Sequence, residues 1–200
     1  MNPQALRLFL GAVACAALLL TACGQTPTST PTASQSTDPV RESKEIAQQF
    51  MGTLKGELSQ AIAESGLPGA IEVCKEVSLE MEQRFTREHE AIAQLRRVST
   101  QPRNVETHTP TPAERDWLQA AAQAHAAGET VQPGQLQHDG QTTVMLPIVI
   151  NNSLCLGCHG DSQMMSTELK QALQTHYPED QATGYAMGDF RGALAVTWNE

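Results

Sequence analysis

Aromatic side chains are scarce. They fill 4% of 200 positions, as four Phe, two Tyr and two Trp. Large rings dominate the energetics of most cores, so a large bound group could supply apolar surface that these side chains do not. Positive charge is short as well. Thirteen Lys and Arg stand against 22 Asp and Glu, a formal net charge of -9. An acidic chain is a poor partner for nucleic acid, and its charge serves solubility. No apolar run reaches the roughly 20 residues that cross a bilayer. The run Leu8–Leu20 spans thirteen apolar or small residues. A second C-x-x-C and an H-x-x-x-H pair are both missing, so a four-ligand zinc site lacks half its ligands. No internal repeat is visible, and the length suits one domain with appendages.

The chain opens as an export leader. Arg7 gives a short basic start, Leu8–Leu20 is the apolar region, and Leu20-Thr21-Ala22-Cys23 follows. Small residues before that Cys read as a bacterial lipobox, with residues 1-22 removed and Cys23 carrying a lipid. An ordinary secretory cleavage site is the plainer reading. Loss of Arg7 takes the side-chain charge from -9 to about -10. Residues 23-39, rich in Thr, Ser, Pro and Gln, cannot bury enough surface to fold and read as a tether. Residues 40-200 are the folded domain. The chain is thus expected to be exported, to the periplasm or cell surface, and held at a membrane through Cys23.

The most specific signal is Cys155-Leu156-Gly157-Cys158-His159. C-x-x-C-H is the attachment signature of c-type haem. Two thiols three positions apart reach the two vinyl groups of one porphyrin, and the adjoining His can bind iron as the proximal ligand. Leu156 and Gly157 suit a tight turn against the macrocycle. One covalent haem c is expected. A redox dithiol would not need the His.

The rest of the pattern mixes helices and strands. Ile46, Phe50, Leu54, Leu58 and Ile62 recur every four residues, predicting a helix over 40–65. Gly66-Leu67-Pro68-Gly69 ends it. A second helix over about 70–87 puts Ile71, Cys74, Val77, Ser78 and Met81 on one face. Ile92–Ser99 reads as a strand and Thr100–Thr109 as a loop. Thr111, Pro112 and Glu114 form a helix start with a capping box. Asp139-Gly140 predicts a type I′ hairpin between 136–138 and 142–146. Pro147–Ile150 runs extended into the haem motif. Ser166 or Thr167 caps a helix to about Thr175, and Leu194–Trp198 is a last strand. Helices first and antiparallel strands later make the class α+β.

Five cysteines sort by place. Cys15 goes with the leader, Cys23 with the lipid, and Cys155 and Cys158 with the haem. Cys74 is left over, on the apolar face of its helix, where a Cys commonly behaves as a small inert hydrophobe.

Three further stretches bear on it: Gly69-Ala70-Ile71-Glu72-Val73-Cys74, Arg97-Val98-Ser99-Thr100-Gln101-Pro102-Arg103-Asn104, and Tyr177–Ala193 with its run Tyr185-Ala186-Met187-Gly188-Asp189-Phe190-Arg191. With the haem motif, over about Ile46 to Trp198, they resemble the c-type haem domain family of PAS-like fold. That family occurs as small cyanobacterial cytochromes and as the sensory part of membrane histidine kinases. The resemblance implies a PAS-like antiparallel sheet flanked by helices, with a long N-terminal helix and one covalent haem. It implies that Cys74 is an axial thiolate opposite His159. It places Arg97, Arg103 and Asn104 in the haem surround. Unlike the sensor kinases, this chain carries a lipobox and no kinase.

Rival sixth ligands are Met145, Met164, Met165, Met187 and His176. A Met would raise the potential, and a thiolate would lower it by stabilising Fe(III). The function expected is low-potential electron transfer, or redox or ligand sensing, with a redox partner protein or small ligand of unknown identity. No enzyme activity is expected. The alternative is a haem enzyme, peroxidase- or nitrite-reductase-like, which needs an open distal site and acid–base groups.

Overall fold

The computed structural model describes residues 38–200; the leader and nearly all of the expected tether lie outside the described residues. Helix α1, Pro39–Glu88, starts where Asp38 accepts the Val40 amide at 3.0 Å and Pro39 fixes the first turn. It is broken at Gly66, whose φ of 70° and ψ of 179° are open to glycine almost alone. Pro68 follows. The break reverses the chain. A straight helix would set residues 50 and 85 about 50 Å apart at 1.5 Å per residue. Instead the Phe50 and Phe85 rings meet edge to face, centroids 5.5 Å apart. The expected helix, glycine-rich stop and second helix are therefore the two arms of a hairpin.

Four strands form one antiparallel sheet in the order β1-β4-β3-β2: β1 Ile92–Val98, β2 Gly134–His138, β3 Gln141–Val149 and β4 Phe190–Trp198. The predicted hairpin turn is present, with φ of 49° at Asp139 and 83° at Gly140. One face buries Leu95, Val144, Leu146, Leu194 and Val196 against Phe50, Leu54, Met81 and Phe85 of α1. Trp198 closes that layer and donates its indole N–H to Ser43 at 3.0 Å. The other face buries Met145, Ala193 and Ala195 against Leu118 of α3, Pro112–Ala126. Thr111 and Glu114 build the expected capping box there. Both faces of β4 are thus buried, Leu194, Val196 and Trp198 on one side and Ala193 and Ala195 on the other.

Two local expectations differ. Thr100–Thr109 is not all loop, because Asn104 caps a single turn, α2, Val105–His108. And the haem motif is not a tight turn. It lies in α4, Ser153–His159, capped by Asn152, which accepts the Leu154 amide at 2.9 Å. Helical geometry puts residues three apart on one side, so the C-x-x-C spacing is met without a turn. Helix α5, Thr167–His176, is capped by Ser166 and packs Leu169 and Leu173 on Ile71 of the second arm. The class is α+β, an antiparallel sheet flanked by helices with a long N-terminal helix, as expected.

Candidate cofactor-binding site

Between the α1 hairpin, α4 and one end of the sheet lies an apolar cleft. Leu54, Leu58, Ile62, Ile71, Ile148 and Leu154 give it an apolar lining. Cys155, Cys158 and His159 reach it from α4, and Cys74 from the second arm of α1. Gly157 lets the two approach, since a Cβ there would stand 3.1 Å from Leu67 Cδ2 at the hairpin break.

His159 is oriented by its surroundings. Its Nδ1 donates to the Ala182 carbonyl at 2.7 Å, which leaves Nε2 as the acceptor. Backbone bonds from Gly184 N to Gly160 O and Tyr185 N to His159 O hold the two segments together. Burial, then the cations Arg103 and Arg191, push the imidazole well below its usual range, so it stands neutral, the form that binds metal. The Tyr185 ring meets His159 edge-on at 6.3 Å, and the Arg191 guanidinium lies 5.1 Å from the Tyr185 centroid.

The three residues that the resemblance nominated all line the cleft, held in different ways. Arg103 pairs with Asp180 at 3.2 Å and donates to the carbonyls of Cys158 and Ala182. It clamps the motif helix to the 180s segment. Arg97 donates from Nε to Glu82 at 2.8 Å and from Nη2 to Ser78 Oγ at 2.8 Å. Asn104 spends its side-chain carbonyl on capping α2.

Cys74 is half-buried, free of any disulfide, and stands beside the Tyr177 hydroxyl and the Arg97 guanidinium. Burial, then the neighbouring Cys74 thiol, push the Tyr177 hydroxyl up. Burial also raises the Cys158 thiol. The rival ligands lie elsewhere. Met145 is buried under α3 and Met165 under α5, Met164 and Met187 are exposed, and His176 is half-buried; none lines the cleft. Met51 does line it.

Sequence reasoning did not single out Glu82 or His108, and it quoted Tyr177, Asp180 and Arg191 within the stretch 177–193 without assigning their contacts. One signal was available. Cys74, Ser78 and Glu82 are four apart, so polar residues continue the line of Cys74 along an otherwise apolar face. Nothing local marks His108 or Asp180, whose partners are 26 and 77 residues away.

These groups suit a haem. There is an apolar slot, two unpaired thiols at the attachment spacing, a neutral imidazole with Nε2 free, and a further thiol lining the same slot. Among the described residues, no three His, Cys, Asp or Glu side chains are grouped to hold a bare metal ion.

Comparison with known proteins gave two findings. The profile of the Tll0287-like family (Tll0287) matches residues 30–198. Among solved structures, the cyanobacterial heme-protein Tll0287 is similar in fold, with a TM-score of 0.56, 21% identity, and coverage of 82% of this chain and 98% of that one. No curated protein matches.

Proposed function

Because the chain belongs to the Tll0287-like family, we propose that it is a haem protein: a mono-haem c-type cytochrome, exported and lipid-anchored at Cys23. It acts in low-potential electron transfer or in redox or ligand sensing. Its partner is a redox protein or small ligand, not nucleic acid. The reading rests on one observation above all. The thiols of Cys155 and Cys158, the imidazole of His159 and the lone thiol of Cys74 line a single apolar cleft.

Cys155 and Cys158 would hold haem through thioethers, with His159 Nε2 and the Cys74 thiolate on the iron. When bound, haem supplies a one-electron Fe(III)/Fe(II) couple. The chain does the rest. Ala182 fixes the His159 tautomer. Arg103 and Asp180 hold the motif helix in place. The aliphatic lining would keep water off the ring, and Cys74, bound to the iron as a thiolate, would favour the ferric state and a negative potential. Tyr177 and Arg97, beside that sulfur, temper its charge.

The test is the alkaline pyridine spectrum of the exported protein together with its polypeptide mass. A c-type α band, and haem that stays on the chain in a denaturing gel, are expected. Cys155→Ala with Cys158→Ala should abolish both. Haem extracted from the unmutated protein by acidified solvent would sink the covalent reading.

A further inference from the structure

Two large apolar side chains stand exposed among the described residues, Met164 at 85% and Met187 at 52%. Both flank the haem motif. Met164 ends the 3₁₀ turn Ser162–Met164, shortly after His159. Met187 follows Tyr185, whose ring meets His159 edge-on. A backbone bond of 2.8 Å from Gly184 N to Gly160 O joins the two segments. Each methionine lies within one or two turns of that bridge. Each also sits beside an exposed carboxylate that shapes its turn. Asp161 accepts the Gln163 amide at 2.8 Å, and Asp189 accepts the Ala186 amide at 2.7 Å.

The charge around the pair is mostly of one sign. Between residues 155 and 190 the exposed carboxylates are Asp161, Glu168, Glu179 and Asp189, and the exposed cation is Lys170. An apolar centre with a polar rim is the anatomy of a protein–protein contact. Methionine suits a contact that is made and broken often, because its flexible thioether adapts to different surfaces. The pair also lies far from where the domain begins. Trp198, near the end of β4, bonds Ser43 near the start of α1, while Asp189 directly precedes β4. The nine residues of β4, at about 3.3 Å each, set those two ends about 30 Å apart. The chain therefore enters the domain at the end opposite the methionines.

Resting on the electron-transfer reading, we propose that Met164 and Met187, rimmed by Asp161 and Asp189, form the docking surface for a redox protein with a basic face. Charge complementarity selects that partner. An acidic rim draws a surface ringed by Lys or Arg, speeds the encounter and fixes its orientation. Charges are screened beyond about 10 Å at 0.1 M salt, so the acids beside the methionines decide, and those at the far end of the sheet do not. The two thioethers then bury against the apolar centre of the partner. The contact sets the partner against the two segments that hold His159. One electron passes: the iron here goes from Fe(II) to Fe(III), the acceptor in the partner is reduced by one electron, and no bond forms or breaks.

The experiment mixes the reduced, haem-loaded protein with a ferric mono-haem cytochrome whose haem edge is ringed by lysines, and follows reduction of that cytochrome by stopped flow. The second-order rate is expected to fall about tenfold or more from low to high salt, as for an electrostatically steered encounter. Asp161→Asn with Asp189→Asn keeps an oxygen to cap each turn, and should slow the reaction severalfold at low salt. Glu45→Gln with Glu90→Gln makes the same change of net charge at exposed positions near the far end, and should leave the rate as it was. Met164→Gln with Met187→Gln should slow the reaction at high salt too. A rate independent of salt overturns the proposal, and so do two charge variants that are equally slow. A second measurement reads the contact itself. With isotope-labelled methionine methyls, adding the zinc-substituted form of the same cytochrome should shift the Met164 and Met187 signals and leave that of Met51 in place. Unmoved signals overturn the proposal, as does equal movement on adding an acidic flavoprotein. The electron-transfer reading is judged separately. If ferricyanide oxidises the reduced protein while the variants make no difference with the cytochrome, only the docking surface fails. If the pyridine spectrum shows no bound haem, both fall.

Discussion

Arg97 and Arg103 lie six residues apart, and the fold uses them differently. Arg103 is 7% exposed and joins Asp180 to two backbone carbonyls, one of them that of Cys158. Removing one partner of such a buried pair leaves a charge without compensation, which typically costs about 3–5 kcal/mol. Asp180→Ala should therefore lower the urea midpoint markedly and loosen the haem motif. Arg103→Lys should recover little, since a point charge cannot make the forked contacts. An Asp180→Ala protein as stable as wild type would remove the clamp from the account. Arg97, on the cleft wall, pairs with Glu82 at 2.8 Å, whose carboxylate also faces His108 Nε2 at 3.1 Å, and that cluster sets a pH dependence. Glu82 is held below 4.5 and His108 below 6.5 in the fold. In each case the unfolded chain binds the proton more readily, so stability falls on acidification. His108 contributes from pH 6.5 downward and Glu82 from 4.5 downward. Unfolding free energies measured against pH should fall through both windows, and Glu82→Gln should flatten the lower one.

At the scale of elements, what was legible in the sequence is what local chemistry decides. The Thr111 capping box, the Asp139-Gly140 turn and the Ser166 cap each follow from a few neighbouring residues, and each is where the pattern put it. The break in α1 was legible too, because Gly66 and Pro68 interrupt a clean four-residue period. What the sequence could not show is that the arms fold back until Phe50 meets Phe85, since that depends on a sheet formed much later in the chain. The turn expected at Leu156 and Gly157 failed for a related reason. Gly157 is small so that Leu67 can pack on it, not so that the chain can bend. Gly66→Ala places a side chain where φ is 70° and ψ 179°, a region costing roughly 1–3 kcal/mol for other residues. The variant should lose about that much in chemical denaturation, with haem content unchanged once folded. A loss near zero would mean that the hairpin bend is not strained there.

For the whole molecule, the cleft is the place where distant parts converge: α1 from one end, α4 and β4 from the other. The candidate site was legible where its chemistry is local, in Cys155, Cys158 and His159. It was illegible where it depends on contacts across the chain, as with Asp180 and His108. Cys74 falls between. Its helix face was readable, but its place on the cleft wall is a product of the hairpin. Among the described residues no helix is long and apolar enough to cross a membrane, and membrane attachment is proposed through Cys23. Cys23→Ala should shift the protein from the membrane to the soluble fraction, and an unmodified mature N-terminus elsewhere would contradict the anchor. The central claim is that Cys74 and His159 hold one iron between them. Electron paramagnetic resonance of the ferric protein, paired with a redox titration, tests it in wild type, Cys74→Ala and Cys74→Met, with Met51→Leu as the control for the methionine that also lines the cleft. The account predicts a low-spin thiolate signal in wild type and Met51→Leu. It predicts loss of that signal in Cys74→Ala and a potential raised in Cys74→Met, each 59 mV being tenfold in the reduction equilibrium. A low-spin signal and potential unchanged in Cys74→Ala would contradict it.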